Sequence, residues 1–354
     1  SSHVGPSRRC KPSGACRARA PRAALAMQAL LRGALLHALL PWHAYAAAPA
    51  GAMPVAVTGS TGKLGRHVVQ QLAEQGYAVR CLVRDSPVGV QPSGAPGASR
   101  RQVAAWLATL PGVELVPGDV TNPERVRALL RGCSACLAVH GARRPTRLGD
   151  LLPWVDETRD WTHSKRVNCE GVRNIIEAAR AGGTCKRIVR VTGKGESPWS
   201  IFSVLINGLG SMAKAWNYEG ERLLRACPDI DYTIVRPGVM GKGDERLEGA
   251  SLALADNGGD LKVSPIPHRS VAELCVRCLG FPNAARATLC AMTAPPGEGE
   301  AAWEPLLARV APDAREFPGG ELLERHYLAV RVGGSFLLGL AAALLAALRP
   351  LVLR

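Results

Sequence analysis

Gly59, Gly62 and Gly65, in the stretch VTGSTGKLGRHV, stand at G-x-x-G-x-x-G spacing, which suits a turn that holds a pyrophosphate. A strand that ends in a tight turn needs Gly59. Close approach of phosphate to backbone amides favours Gly62, and Gly65 lets the following helix pack against its strand. The amino terminus of that helix then offers unpaired N–H groups to negative charge. The expected ligand is a nicotinamide dinucleotide. Arg84, in CLVR, would pair with a 2′-phosphate and so favours NADP(H). NAD(H) is the lesser alternative, with Arg84 a solvated strand end and Asp85 on the ribose. In GDV, Asp119 and Val120 suit the adenine amino group and ring face.

These residues need a scaffold, and the pattern alternates strand and helix, the signature of a parallel sheet with helices on both faces. Strands are expected at 54–59, 78–84, 113–120, 135–142, 186–193 and 231–238, and helices at 63–76, 123–131, 165–181 and 211–226. The fold class is therefore α/β, a Rossmann-type doubly wound parallel sheet with a small C-terminal substrate-side region. Two interruptions stand out. Residues 85–100 are rich in Pro, Gly and Ser and read as a surface insertion. Residues 143–164, with Trp154 and Trp161, follow the fourth strand, where such sheets place ligand contacts, and could form a lid.

With 354 residues the chain accommodates one main domain with appendages. Four segments are expected: a targeting leader over 1–53, a dinucleotide-binding domain with its substrate-side region over 54–295, a linker and helix over 296–326, and a hydrophobic helix over 327–354. The net charge is +15, but seven basic residues lie before residue 54 in a stretch without Asp or Glu. Only 5% of residues are aromatic and no nucleic-acid-reading motif occurs, so no nucleic-acid partner is expected. The leader pairs a basic, acid-free segment with an apolar run, which fits two-stage plastid targeting; an unstructured leader is the alternative. Residues 332–348 carry no charge, and seventeen residues is the short limit for crossing a bilayer. Membrane association is expected there, with packing on the domain or a partner as the alternative. The pairs Cys133/Cys136 and Cys275/Cys278 are too few for a zinc module; buried apolar packing is expected and no metal site is assigned.

In order, VTGSTGKLG, CLVR, GDV, RVNCEGVRNIIEAA, RIVRVTG, EGERLLRACPDIDYTIVRPG and HRSVAEL resemble the atypical short-chain dehydrogenase/reductases, the NAD(P)H-binding or NmrA-like group. That group includes reductases, redox sensors and assembly factors, and its plastid members include proteins associated with photosynthetic complexes. The resemblance implies a chloroplast location, with thylakoid association, and a plastid membrane complex as partner. It also implies that Gly59, Ser60, Thr61, Gly62, Lys63 and Leu64 form the phosphate loop. Arg84 would be the 2′-phosphate contact, and Asp119 and Val120 the adenine edge. His140, Gly141 and Ala142 would pass beside the nicotinamide ribose, and Thr192 and Pro237 would lie near the nicotinamide. Read from residues alone, His140 could equally be a hydrogen-bonded strand-end histidine.

Active relatives use a tyrosine as proton donor and a lysine four residues later that lowers its pKa. Glu221 and Leu224 set the register of that helix, and counting back places Ala213 at the tyrosine position and Asn217 at the lysine position. Tyr218 with Arg222 keeps the spacing but falls on another helix face, rotated by about 140°. Lys214 lies only about 60° from the lysine direction, one turn away. Thr192 and Lys214 are therefore the catalytic candidates, Lys214 having the alternative of a solvated cation. Two functions remain open: an NADP(H)-dependent oxidoreductase without the tyrosine–lysine pair, or a non-catalytic NADP(H)-binding assembly or regulatory factor.

Overall fold

A computed structural model describes residues 1, 52–151, 156–241, 251–295 and 297–352. All elements below belong to one compact unit, Ala48–Arg354. Apart from Ser1, Ala52 and Met53, the expected leader lies outside the described residues, as does Trp154.

Short apolar runs build the sheet centre. β1 (Val55–Thr58) is buried at every position, and so is β4 (Ala135–Ala138), as expected of parallel strands covered on both faces. With β2 (Val79–Val83), β3 (Val113–Pro117), β5 (Arg187–Val191) and β6 (Asp231–Pro237) they lie in the order β3-β2-β1-β4-β5-β6. Every pairing among these six is parallel. The sheet continues through β10 (Ala287–Ala294), parallel to β6, to β8 (Ser251–Ala255), antiparallel to β10. A separate two-stranded piece joins β7 (Val239–Met240) to β9 (Pro265–Ile266).

The connections leave β1 in one direction and β4 in the other, so a crevice opens between their carboxyl ends, where such sheets bind ligands. On one face α1 (Lys63–Glu74) and α2 (Arg100–Leu107) pack with α7 (His268–Arg277) around Val68, Leu72 and Leu274. The other carries α3 (Pro123–Leu130), α4 (Gly171–Gly182) and α6 (Ala213–Arg225), packed around Leu129, Ile175 and Leu224. Local signals set their ends. Ser99 and Gln102 form a reciprocal capping box on α2, Asn122 caps α3 ahead of Pro123, and Gly183 at φ 69° closes α4. One irregularity precedes α4, where Lys165–Glu170 is a π turn.

The expected strands match to within a few residues, while β3 stops at Pro117 and leaves Asp119 in the turn beyond. The segment before α6 holds a further helix, α5 (Ile201–Leu209). The chain ends, after α8 (Trp303–Leu307), in α9 (Glu321–Val352), which runs unbroken through residue 327. Among the described residues no helix is long and apolar enough to cross a membrane. Cys133, Cys136, Cys275 and Cys278 are all buried free thiols.

Candidate functional site

A cleft of about 670 Å³ opens at the switch between β1 and β4. Its floor is the glycine turn. Gly59 has φ +76°, and a Cβ there would come within 2.7 Å of the His140 backbone nitrogen. At Gly65 a Cβ would collide with the Gly59 carbonyl, so α1 reaches the strand only because glycine stands there. The Gly62 N–H donates to the Gly59 carbonyl at 2.9 Å. Gly62 itself caps α1 without any side-chain bond, which leaves the first turn's N–H groups facing the cleft. Thr61, Lys63 and Leu64 line this wall. Ser60 does not: its hydroxyl is buried and donates to the Leu82 carbonyl at 3.0 Å, tying the turn to β2.

Arginines gather at the far end. Arg84 follows β2 and lies 3.5 Å from the Asp119 carboxylate and 6.0 Å from the centre of the Trp161 ring. Arg100, at the start of α2, and Arg143 line the same region. Burial, and then repulsion from Arg84 and Arg143, lowers the Arg100 pKa from its ordinary value, so these cations stand close enough to oppose one another. Asp119 is held by Thr121, whose N–H and hydroxyl both donate to Oδ1 at 2.9 Å. Val120 lines the cleft and packs toward Gly171, where a Cβ would meet it at 2.8 Å.

At the other end, His140, Gly141 and Ala142 leave β4 along the cleft. The His140 Nδ1 is 2.7 Å from the Thr58 hydroxyl. Burial first, and Arg190 second, keep its imidazole neutral with a pKa well below the usual range. Beneath lies Arg190, a fully buried cation on β5. It donates to the carbonyls of Ala138 at 3.0 Å and His140 at 2.6 Å and to Asn217 Oδ1 at 2.8 Å. Burial lowers its pKa to about 10, so it remains charged at neutral pH. A guanidinium only donates, which fixes the Asn217 amide with oxygen toward Arg190 and leaves Nδ2 as the group free to serve the cleft.

Thr192 also lines the cleft, yet its hydroxyl donates to Glu221 at 2.6 Å. Glu221 is fully buried, accepts from Arg236 Nε at 3.0 Å and from Arg225 at 2.8 Å, and stays ionised. Burial works to raise its pKa, and the two arginines with Thr192 outweigh that and hold it below the usual value.

The geometry thus brings the glycine turn, Arg84, Asp119, Val120, His140 to Ala142 and Thr192 together, and leaves three expected residues aside. Besides Ser60, Pro237 ends β6 outside the cleft lining, where Met240 and His268 appear instead. Lys214 is outside as well: its Nζ donates to the buried Ser203 hydroxyl at 2.6 Å. Burial, reinforced by Lys194 and Arg236, lowers its pKa to about 8. Tyr218 is buried and donates to the Pro318 carbonyl at 3.0 Å. Met212 and Trp216 pack in a small apolar cluster with Val330. Sequence reasoning passed over Arg100, Arg143 and Arg190. The signal for the last was an arginine inside the apolar strand RIVRV, which a covered parallel sheet tolerates only with partners such as those Nη1 and Nη2 find here; Nε is buried without one.

Residues 59–282 match the NAD(P)H-binding family. The chain is 29% identical over 195 residues to a ceramide reductase of Caulobacter vibrioides, covering 55% of this chain and 49% of that protein. It is 25% identical over 225 residues to the chloroplastic protein TIC 62 of Pisum sativum, covering 62% and 39%. It is 32% identical over 129 residues to the photosystem II assembly factor Ycf39 of Trieres chinensis, covering 36% and 31%. The chain thus spans half or less of the length of these relatives. Among solved structures, a short-chain dehydrogenase/reductase of Veillonella parvula in complex with NADP superposes with a TM-score of 0.51 at 11% identity, over 70% of this chain and 98% of that one.

Proposed function

The chain belongs to the NAD(P)H-binding family, and from that membership we propose that it binds NADP(H) in the switch-point cleft and uses it as a ligand rather than as an ordinary tyrosine–lysine reductase would. The residues present fit such a group: the glycine turn admits phosphate close to backbone, and α1 presents uncapped N–H groups. Arg84, Arg100 and Arg143 gather at the end away from Thr192, which supports a 2′-phosphate there and so NADP(H) over NAD(H).

The observation that carries the non-catalytic reading is how the polar groups at the Thr192 end are already engaged. A bound nicotinamide supplies a hydride, and a carbonyl that accepts it needs a proton as well. The Thr192 hydroxyl already donates its hydrogen bond to the ionised Glu221, so toward the cleft it accepts. Asn217 is held by Arg190 and offers only an amide N–H, and His140 is a neutral imidazole bonded to Thr58. These groups orient and polarise; they do not deliver protons as a tyrosine beside lysine does. We infer a plastid protein whose dinucleotide occupancy controls contact with a membrane complex, a role supported by relatives named photosystem II assembly factors. The relatives named reductases support the second reading, hydride transfer with water or Thr192 handling the proton.

Two measurements separate them. Under the first reading, NADPH saturates the protein without being oxidised across a panel of carbonyls and quinones, and a defined complex is recovered from plastid membranes in amounts that change with NADPH. Sustained turnover lost in Thr192→Ala would establish the second reading instead. Gly62→Asp should abolish both behaviours by putting a carboxylate where the pyrophosphate belongs.

A further inference from the structure

α5 is built inside out. Its outward positions, Ile201, Phe202, Leu205, Ile206 and Leu209, recur at i, i+1, i+4, i+5 and i+8, one helix face, and all are large and apolar. Phe202 is 68% exposed and Leu209 71%. The inward face carries Ser203 and Asn207, both 0% exposed, beside the buried Val204. A helix at a water surface arranges these the other way.

The inward polar groups hold that orientation. Asn207 Oδ1 accepts from the backbone N–H groups of Lys214 at 2.9 Å and Ala215 at 3.1 Å, capping α6. Its amide nitrogen lies 3.0 Å from His326 Nδ1, while His326 Nε2 is 2.7 Å from the Gly195 carbonyl. A carbonyl can only accept, so the ring carries its proton on Nε2 and accepts from Asn207 through Nδ1. Ser203 accepts from Lys214 Nζ at 2.6 Å and donates to the Ser197 carbonyl at 2.6 Å. Rotating α5 to hide its apolar face would break every one of these bonds. Lys214 and His326 are thus the clamps that keep the face turned outward.

The face does not end with α5. Residues 197–213 contain no charged side chain, and α9 lies alongside, close enough that a Cβ on Gly333 would meet Val204 at 3.1 Å. On α9, Leu328 and Val332 are exposed one turn apart, 51% and 52%. From residue 332 to 348 that helix carries no charge. Trp199 lies exposed at the start of the patch, and exposed Arg147 and Arg331 flank it. Thr146, next to Arg147, binds the Leu209 carbonyl at 2.9 Å.

We propose that this face of α5, continued by Leu328 and Val332 of α9, seats the protein on the surface of a lipid bilayer. Bulky aliphatic groups with aromatic residues and flanking arginines are the composition of a helix lying in the headgroup region. Among the described residues no helix is long and apolar enough to cross a membrane. The proposal stands apart from the dinucleotide reading.

The test uses the full chain with vesicles of phosphatidylcholine containing phosphatidylglycerol. Wild type and the exposed control Val88→Asp, on the loop after β2, should sediment with the vesicles. Phe202→Asp with Ile206→Asp should lower the partition coefficient about tenfold or more, with an unchanged melting curve. A second readout isolates α5 from α9: the emission lost in Trp199→Phe should be quenched by nitroxide-labelled lipid in the wild type. Equal sedimentation of the double variant, or an unquenched Trp199 component, overturns the proposal. So does a wild type that stays in the supernatant, including one that forms a dimer which the same two substitutions dissolve.

Discussion

Glu221→Gln probes the frame beneath the cleft. Glu221 and Arg236 are both 0% exposed, and the carboxylate also receives Arg225 and the Thr192 hydroxyl. Replacing the acid by an amide of the same shape leaves a buried guanidinium without its counter-charge; Glu196 still contacts Arg236 Nη1 and softens the loss. Breaking a buried pair in this way costs about 3–5 kcal/mol. A domain of this size loses roughly 2–4 °C per kcal/mol, so the melting temperature should fall on the order of 10 °C. The pH dependence has a definite sign. The folded pKa of Glu221 is depressed, so the carboxylate contributes stability that is fully present above the ordinary value of 4.5 and is lost as pH falls through the lower folded value. The variant should therefore lose stability less steeply in acid than the wild type. Calorimetry from pH 3 to 7 reads both effects, and a drop of under about 1 kcal/mol at pH 7, with an unchanged acid limb, would refute the ionised, charge-paired Glu221.

Other perturbations give separate readouts. Gly65→Ala forces a methyl into the Gly59 carbonyl, so it should destabilise by about 1–3 kcal/mol and abolish NADPH binding in a fluorescence titration. Arg84→Ala and Arg100→Ala should each weaken NADPH about tenfold to a hundredfold, the worth of one charge-assisted contact, and leave NADH within about twofold. Lys214 has a folded pKa lowered to about 8 against an ordinary 10.5, so wild-type stability should rise as pH climbs through that window. Lys214→Met should flatten that rise and keep NADPH affinity, because the amine lies outside the cleft; a tenfold weaker Kd would contradict that placement.

Six strands of the sheet were legible as short, largely apolar runs bounded by turn residues, while β8 and β10 were not read, and the glycine turn was legible because close backbone approach restricts residue type so severely. α2 was hidden by its entry, since the Pro- and Gly-rich stretch before Ser99 reads as loop throughout. α5 was hidden differently. Its apolar periodicity faces outward, so the pattern that ordinarily marks a core helix marks the opposite here. Lys214 looked available because helix angle alone places it near the cofactor side, and angle says nothing of the Ser203 hydroxyl one helix away. Thr192 was found by position, but that its proton is spent on Glu221 depends on a contact 29 residues distant. Arg100 opens α2 at the end of one long loop and Arg143 lies in another, and the lengths of those loops hide where the chain returns to the cleft.

The most direct measurement is a calorimetric titration of the full chain with NADPH and with NADH. Saturable binding of NADPH, at least about tenfold tighter than NADH and lost in Gly62→Asp, is the expected result. No saturable binding of either dinucleotide would contradict the assignment of the switch-point cleft, and equal affinity for both would contradict the role given to Arg84, Arg100 and Arg143.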